Sequence, residues 1–406
     1  MLTIGGKFNT AKVFIDTIDD TAAEQLETLC NQSFVEGCKI RIMPDVHAGA
    51  GCVIGFTADL GERVIPNIVG VDIGCGMLTV DLGFNHVDFD KLDSIIRNKI
   101  PSGAEVQPGR LVHLPEMQNL FCYRELKHSK RLERSIGTLG GGNHFIEIDV
   151  DDDGRRYLVI HSGSRNLGKQ VAEHYQNMAW EIHRGIEEFW AEKDRIITEY
   201  KETGRRSEIE STLKALKKSF AKKESEIPKD LCYLEGKYRD MYLHDMQFCQ
   251  YFATLNRYMM AKIILNSLFD KELEDFEHFE TIHNYIDMQS NIIRKGAVSA
   301  KSGEKLLIPI NMRDGSLICI GKGNEDWNCS APHGAGRLFS RTEAKDKFTV
   351  EEFKDSMQEI YSTCISHRTI DESPMAYKSM DDIVNNISPT AEIIKIIKPV
   401  YNFKAE

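Results

Sequence analysis

The sequence has little of what stabilises secreted or membrane proteins. Its ten cysteines are thinly spread over 406 residues and no two are spaced as C-x-x-C, which argues against a disulfide scaffold and leaves reduced thiols as the expectation. No uninterrupted apolar run approaches the length needed to cross a bilayer. The opening segment Met1–Lys7 lacks the basic-then-apolar layout of a signal peptide, so a cytoplasmic location is expected. Positive charge is not in surplus either: 51 Lys and Arg face 62 Asp and Glu, a net charge of −11. Proteins that bind nucleic acid along an extended surface are usually basic. A nucleic-acid substrate would therefore have to be gripped by local cations around a cleft. There is no internal repeat, low-complexity tract or proline-rich linker. What is present is an apolar fraction of 41%, enough for a sizeable core, and an ordinary charged fraction of 28%.

Against that background one phrase stands out. Val71–Gly76 sets an acid, Asp72, and a thiol, Cys75, three residues apart between glycine-flanked turns. Four histidines follow in turn-like settings beside glycine or asparagine: His144, His161, His283 and His333. A carboxylate offers a hard oxygen, imidazoles offer borderline nitrogens, and a thiolate has lone pairs enough to bridge two cations. One Cys, one Asp and three His make a ligand set for a pair of divalent ions, with one His left for chemistry. Singly, each has a plainer explanation, a buried small thiol or an imidazole satisfied by backbone. Together they point to a metal site.

The periodicities predict an α+β fold, a sheet-rich mixed core with helices packed on it. Lys12–Ile15, Val64–Ile65, Gly51–Phe56 and Tyr157–Ile160 read as strands, and Leu139–Asp149 passes from a glycine-rich loop into an alternating stretch. Ala22–Cys30 has helical spacing, with Ala22, Leu26, Leu29 and Cys30 on one face. Between about residues 170 and 266 a helical insertion is expected. Its charged part, Glu187–Glu226, should fold as an antiparallel hairpin broken at Thr203-Gly204. Ile186, Phe189, Trp190, Ile196 and Ile197 would line one apolar face of the hairpin, and Leu213, Leu216 and Phe220 the other. Tyr251–Met260 reads as a buried helix whose job is packing. Because candidate site residues span nearly the whole chain, residues 1–406 are expected to form one catalytic domain.

Several strings in chain order resemble the RtcB family of RNA ligases: Met43–His47, Val69–Met77, Gly137–Phe145, His161–Arg165, Arg294–Ala300, His333–Arg337 and Ala376–Lys378. The resemblance implies two manganese ions, one held by Asp72, Cys75 and His144 and the other by Cys75, His161 and His283. It implies that His333 takes GMP from GTP as a covalent adduct, with Arg337 neutralising charge on the transferred phosphoryl group and Asp45 near the reacting ends. Nucleotide contacts carry over to Asn143, His144, Phe145, Ile146 and Glu147, to His283 and Asn284, and to Pro309, Ile310, Asn311, Met312 and Ser316. They extend to His333, Gly334, Ala335 and Gly336, to Tyr377 stacking on the base, and to Lys404. Glu147 would read the two N–H donors of guanine. The implied substrates are RNA ends bearing a 3′-phosphate or 2′,3′-cyclic phosphate and a 5′-hydroxyl.

Two departures stand inside these strings. Ile310 and Asn311 occupy positions where the family pattern has glycine and serine, and Ala50 stands where a lysine is expected. Asp45 and His47 suit either the handling of RNA ends or a structural turn. The same ligands would also serve a two-metal phosphodiesterase that forms no nucleotide adduct, with His333 as acid. A non-catalytic RNA-end sensor is the remaining alternative.

Overall fold

The computed structural model describes residues 1–405, and these form the expected α+β fold, with fifteen strands in three sheets and helices packed outside them. The largest sheet has seven strands in the order Lys305–Asn311, Gly315–Gly321, Ala391–Lys404, Phe145–Val150, Arg156–Ser162, Gly76–Gly83 and His278–Ile282, each antiparallel to its neighbours. Register shifts at Pro309/Asn311, Ile318/Cys319 and Pro399/Tyr401 bend it, as extra residues in a ladder do. It curls until its edges touch, where the Leu307 N–H donates to the Thr281 hydroxyl at 3.0 Å. Met77, Phe145, Tyr157, Val159, Leu307, Ile318 and Ile397, from six of the seven strands, pack together inside the curl.

Strand alternation sends the intervening residues outward. Leu78, Val80, Ile146, Ile148, Leu158 and Ile160 meet Met260, Ala261, Ile264 and Leu265 of a 34-residue helix, Gly236–Phe269. A second sheet of six strands runs Leu2–Gly5, Thr10–Val13, Arg41–His47, Ile54–Ala58, Ile292–Lys295 and Asn284–Asp287. Against it lies the helix Asp20–Cys30, which buries Ala22, Leu26, Leu29 and Cys30 as its spacing predicted and starts where the Asp19 carboxylate accepts from the Ala22 N–H at 2.8 Å.

Some expectations change. Val64–Ile65 is not a strand: Val64 only exchanges hydrogen bonds with Leu234, because Pro66, lacking an N–H and preset in φ, opens a one-turn helix, Pro66–Val69. The strand expected at Gly51–Phe56 begins only at Ile54. The charged hairpin is present as Ile186–Glu202 and Ile209–Phe220. Phe189 meets Phe220 at 5.0 Å, and Arg184 donates to the Phe220 carbonyl at 2.8 Å. Its expected apolar face is only partly covered: Ile186 and Ile196 are buried, whereas Trp190 is 47% exposed. No described helix is long and apolar enough to cross a membrane.

Candidate metal and nucleotide centre

Four neighbouring strands bring distant residues to one end of the curled sheet. Cys75 immediately precedes the strand Gly76–Gly83, His144 precedes Phe145–Val150, His161 lies in Arg156–Ser162, and His283 follows His278–Ile282. Register aligns them: His161 faces Met77 on one side and Phe145 on the other, and Gly76 faces Ile282. Asp72 reaches the same place through a loop turning at Gly74, at φ 73°, where a Cβ would lie 2.8 Å from the Gln250 Cα. Only glycine lets that loop approach the long helix so closely.

The donor atoms form two overlapping groups that share Cys75, one with Asp72 and His144 and the other with His161 and His283; within each they lie within 4.8 Å of one another. The Cys75 Sγ is 3.4 Å from His144 Nε2 and 3.3 Å from His161 Nε2, and Asp72 Oδ2 is 2.9 Å from His144 Nε2. The outer nitrogens are anchored, His144 Nδ1 on the Leu139 carbonyl at 2.8 Å and His161 Nδ1 on the Asn143 carbonyl at 3.1 Å. Each bond leaves Nε2 as the ring nitrogen turned towards the thiol, the one a bound metal would take as its ligand. The buried Nδ1 of His283 has no partner among the described residues.

Electrostatics agree with this reading. Burial holds His161 and His283 well below the ordinary imidazole value, with repulsion from His144 and His333 respectively adding to it, so their lone pairs stay free. Burial, then the Asp72 charge, pushes the Cys75 thiol well up. Burial also pushes Asp72 up, but the hydrogen bond and charge of His144 outweigh it and hold the carboxyl below its usual range. A thiol so placed ionises only against added positive charge, which a divalent ion supplies. The donor set and the unpartnered His283 nitrogen therefore fit a metal.

The long helix does more than pack. Asn256 accepts from the Gly137 and Thr138 N–H groups at 2.8 and 3.0 Å, and donates to the Thr138 and Gly163 carbonyls and the Ser162 hydroxyl. The fully buried Arg257 donates to the Gly74 and Ser162 carbonyls at 2.8 and 2.7 Å and to Glu280 at 2.8 Å. These two side chains tie the loops on both sides of the ligand cluster. A lone Asn-Arg pair in an otherwise apolar stretch was the sequence signal for them.

His333 sits next to the cluster, its ring centroid 5.0 Å from that of His283. Its Nδ1 lies 2.6 Å from Asp45 Oδ2, which also accepts the His333 backbone N–H at 3.0 Å. Asp45 is fully buried and does not line the cavity. Its carboxylate faces His333 and fixes the ring with Nδ1 turned to Asp45. Gly336, at φ 78°, makes the approach possible, since a Cβ there would lie 2.5 Å from the Asp45 carbonyl oxygen.

The site opens into a cavity of about 820 Å³. Asp72, Cys75, Asn143, Phe145, Glu147, His161, His283, Asn284, Pro309, Ile310, Asn311 and Met312 line it, together with His333, Gly334, Ala335, Gly336, Arg337, Tyr377 and Lys404. Three expected contacts are not on its wall. His144 stands behind Cys75 as a ligand candidate. Ile146, next in the strand after Phe145, turns into the outer core because successive side chains alternate. Ser316 is fully buried with an unpartnered hydroxyl.

One wall is an ion cluster centred on Glu372, which the sequence reading missed because no motif marks it. Glu372 takes Lys404 at 2.7 Å, the Tyr377 hydroxyl at 2.6 Å, Arg337 at 3.3 Å and Arg341. Burial raises its carboxyl, but the Lys404 and Arg341 charges overcome that and bring it to about 2. Arg337 also donates to the Phe339 and Asp371 carbonyls, which holds its guanidinium at the cavity wall. Lys404 is buried at the end of the long strand Ala391–Lys404, where it pairs in register with Phe145. The departures have structural partners. Ile310 packs in an apolar cluster, and Asn311 caps the turn, accepting from the Arg313 and Asp314 N–H groups. The Ala50 carbonyl receives the Lys295 ammonium at 2.6 Å.

Comparison with known proteins agrees with this geometry. A family model described as tRNA-splicing ligase RtcB matches residues 25–125 and 122–405. The chain is 30% identical over 420 residues to the RNA-splicing ligase RtcB of Escherichia coli K12, covering 94% of each protein. It is 24% identical to the tRNA-splicing ligase RtcB of Thermococcus kodakarensis, over 88% of this chain and 86% of that one. With a match of that extent, the chain belongs to the RtcB family.

Proposed function

We propose that the protein is a GTP- and manganese-dependent RNA ligase, joining an RNA 3′-phosphate or 2′,3′-cyclic phosphate to a 5′-hydroxyl through a histidine–GMP intermediate. The observation that carries this reading is His333, held by Asp45 at 2.6 Å beside the ligand cluster and facing a nucleotide-sized cavity. With its proton held on Nδ1, His333 Nε2 attacks the α-phosphorus of GTP; an N–P bond forms and the bond to the pyrophosphate oxygen breaks. A cyclic RNA end is first opened by water to a 3′-phosphate. An oxygen of that phosphate then attacks the bound GMP, breaking the N–P bond. The 5′-hydroxyl oxygen next attacks the activated RNA phosphate, and GMP leaves. Two manganese ions, one held by Asp72, Cys75 and His144 and one by Cys75, His161 and His283, would stabilise charge on the phosphate oxygens.

Guanine is read by Glu147, whose carboxylate receives the Asn402 amide and whose free oxygen matches donors that adenine lacks. The other nucleotide contacts expected at the cavity wall, from Asn143 and Phe145 through Asn284 and Pro309–Met312 to Tyr377 and Lys404, are proposed with it. The ten cysteines are all unpaired, which suits a thiolate ligand in the reducing cytoplasm. The whole chain works as one catalytic unit on this reading. Incubation with α-labelled GTP and manganese should label the wild type and leave His333→Ala unlabelled; equal labelling of both overturns the mechanism.

A further inference from the structure

Inside the curled sheet lies a second carboxyl that guanylyl transfer does not use. Asp149 follows Glu147 by two residues on the same strand, Phe145–Val150, so both point to the inner face. It is fully buried, and neither of its oxygens has a hydrogen-bond partner among the described residues. Glu147 is nearly as deep, 3% exposed, but it has the Asn402 amide beside it and the Lys404 charge nearby. The other polar groups on this inner face do not serve Asp149. Tyr157 donates to Asp151, Lys395 pairs with Asp151, Lys404 pairs with Glu372, and the Thr79 and Ser316 hydroxyls are unpartnered.

An ionised carboxylate so buried and unpaired is among the most costly arrangements in a protein, and two neighbouring buried carboxyls cannot both ionise near neutrality. We propose that Glu147 and Asp149 hold one proton between them and that it resides on Asp149, which makes Asp149 a positioning residue that leaves Glu147 to meet guanine as a carboxylate. This rests on the reading of Glu147 as the guanine contact. The asymmetry has a plain cause: the donor and the cation are at Glu147, and Asp149 has neither. Burial followed by the Glu147 charge lifts the Asp149 carboxyl well above its usual range, and burial brings Glu147 to about 7 despite Asn402 and Lys404.

The sign of the pH effect follows. Above about 7 Glu147 is ionised and accepts from guanine. As the pH falls through that value Glu147 gains a second proton for the pair, and GTP affinity drops about tenfold per pH unit. Asp149 stays neutral throughout, so its replacement by an uncharged isostere should leave this acid limb in place.

Two measurements on the full-length protein test the proposal. GTP binding is followed from pH 5.5 to 8.5 in the wild type and in Asp149→Asn. An acid limb that coincides in the two supports a neutral Asp149. A limb displaced downward by about one pH unit or more in the variant, as expected when a neighbouring buried charge is removed, overturns it. Infrared spectroscopy at pH 8 then looks for the carbonyl stretch of a protonated carboxylic acid. The band should be present in the wild type and in Glu147→Gln and missing from Asp149→Asn. If Asp149→Asn fails to fold, wild type and Glu147→Gln decide alone, and absence of the band from both overturns the proposal. The guanine reading is tested separately by GTP against ATP binding to the wild type, so its failure and a charged Asp149 give different results.

Discussion

Asp45 accepts two N–H groups of His333 through a single oxygen, Oδ2, at 2.6 and 3.0 Å, while its buried Oδ1 has no partner among the described residues. That geometry predicts a graded response to substitution. In Asp45→Asn the amide oxygen is drawn to the two donors, and the amide nitrogen takes the unpartnered position. The His333 tautomer survives, and what is lost is the charge on the acceptor. A hydrogen bond to a charged group contributes about 1–2 kcal/mol more than a neutral one, so the adduct should form roughly 5–30-fold more slowly. In Asp45→Ala the backbone N–H is left buried and unpaired, and nothing holds the ring proton on Nδ1. The loss should then reach about 10²–10⁴-fold, because the ring is free both to turn and to take the wrong tautomer. Single-turnover formation of the labelled GMP adduct, at saturating GTP and manganese, measures both. Adduct formation by Asp45→Ala within about threefold of wild type would refute the argument, as would an Asn variant slower than the Ala variant.

The remaining predictions concern the metal and the nucleotide wall. Cys75→Ser should fold, with a stability loss of only about 1–3 kcal/mol. It should nonetheless bind at most one metal ion weakly and form no adduct, as metal analysis and GTP labelling would report. Arg257→Met removes the donors to the Gly74 and Ser162 carbonyls and should weaken metal binding about 10–100-fold in equilibrium dialysis, although Arg257 touches no ligand atom. The Glu372 carboxyl, held at about 2 by Lys404 and Arg341, contributes stability that is present above its unfolded value and lost as the pH falls towards 2. Glu372→Gln should lower stability by about 3–5 kcal/mol at pH 7, with the gap from wild type narrowing below pH 4 in denaturant titrations. An unchanged gap at low pH would show that Glu372 is not the ionised centre of the wall.

The residues of the candidate metal cluster were legible in the chain because metal chemistry restricts residue type. Few side chains offer a thiolate, a carboxylate or a neutral imidazole, and Asp72, Cys75, His144, His161 and His283 stand in loop and strand-end contexts that mark them. The helix Asp20–Cys30 and the strand through His161 were equally readable, since a periodic apolar face is a local property. Other features existed only after folding. Register across four antiparallel strands decides that His161 lies level with Met77 and Phe145, and no local pattern encodes that alignment. The pairing of Asp45 with His333 spans 288 residues, and the engagement of Arg337 by Glu372 depends on a loop with no distinguishing composition. Ionisation belongs to the same class. Whether Glu147 or Asp149 keeps a proton depends on which of them has Asn402 and Lys404 beside it and on how far the curled sheet excludes water, so the residue types came from the sequence and their charges from the tertiary structure.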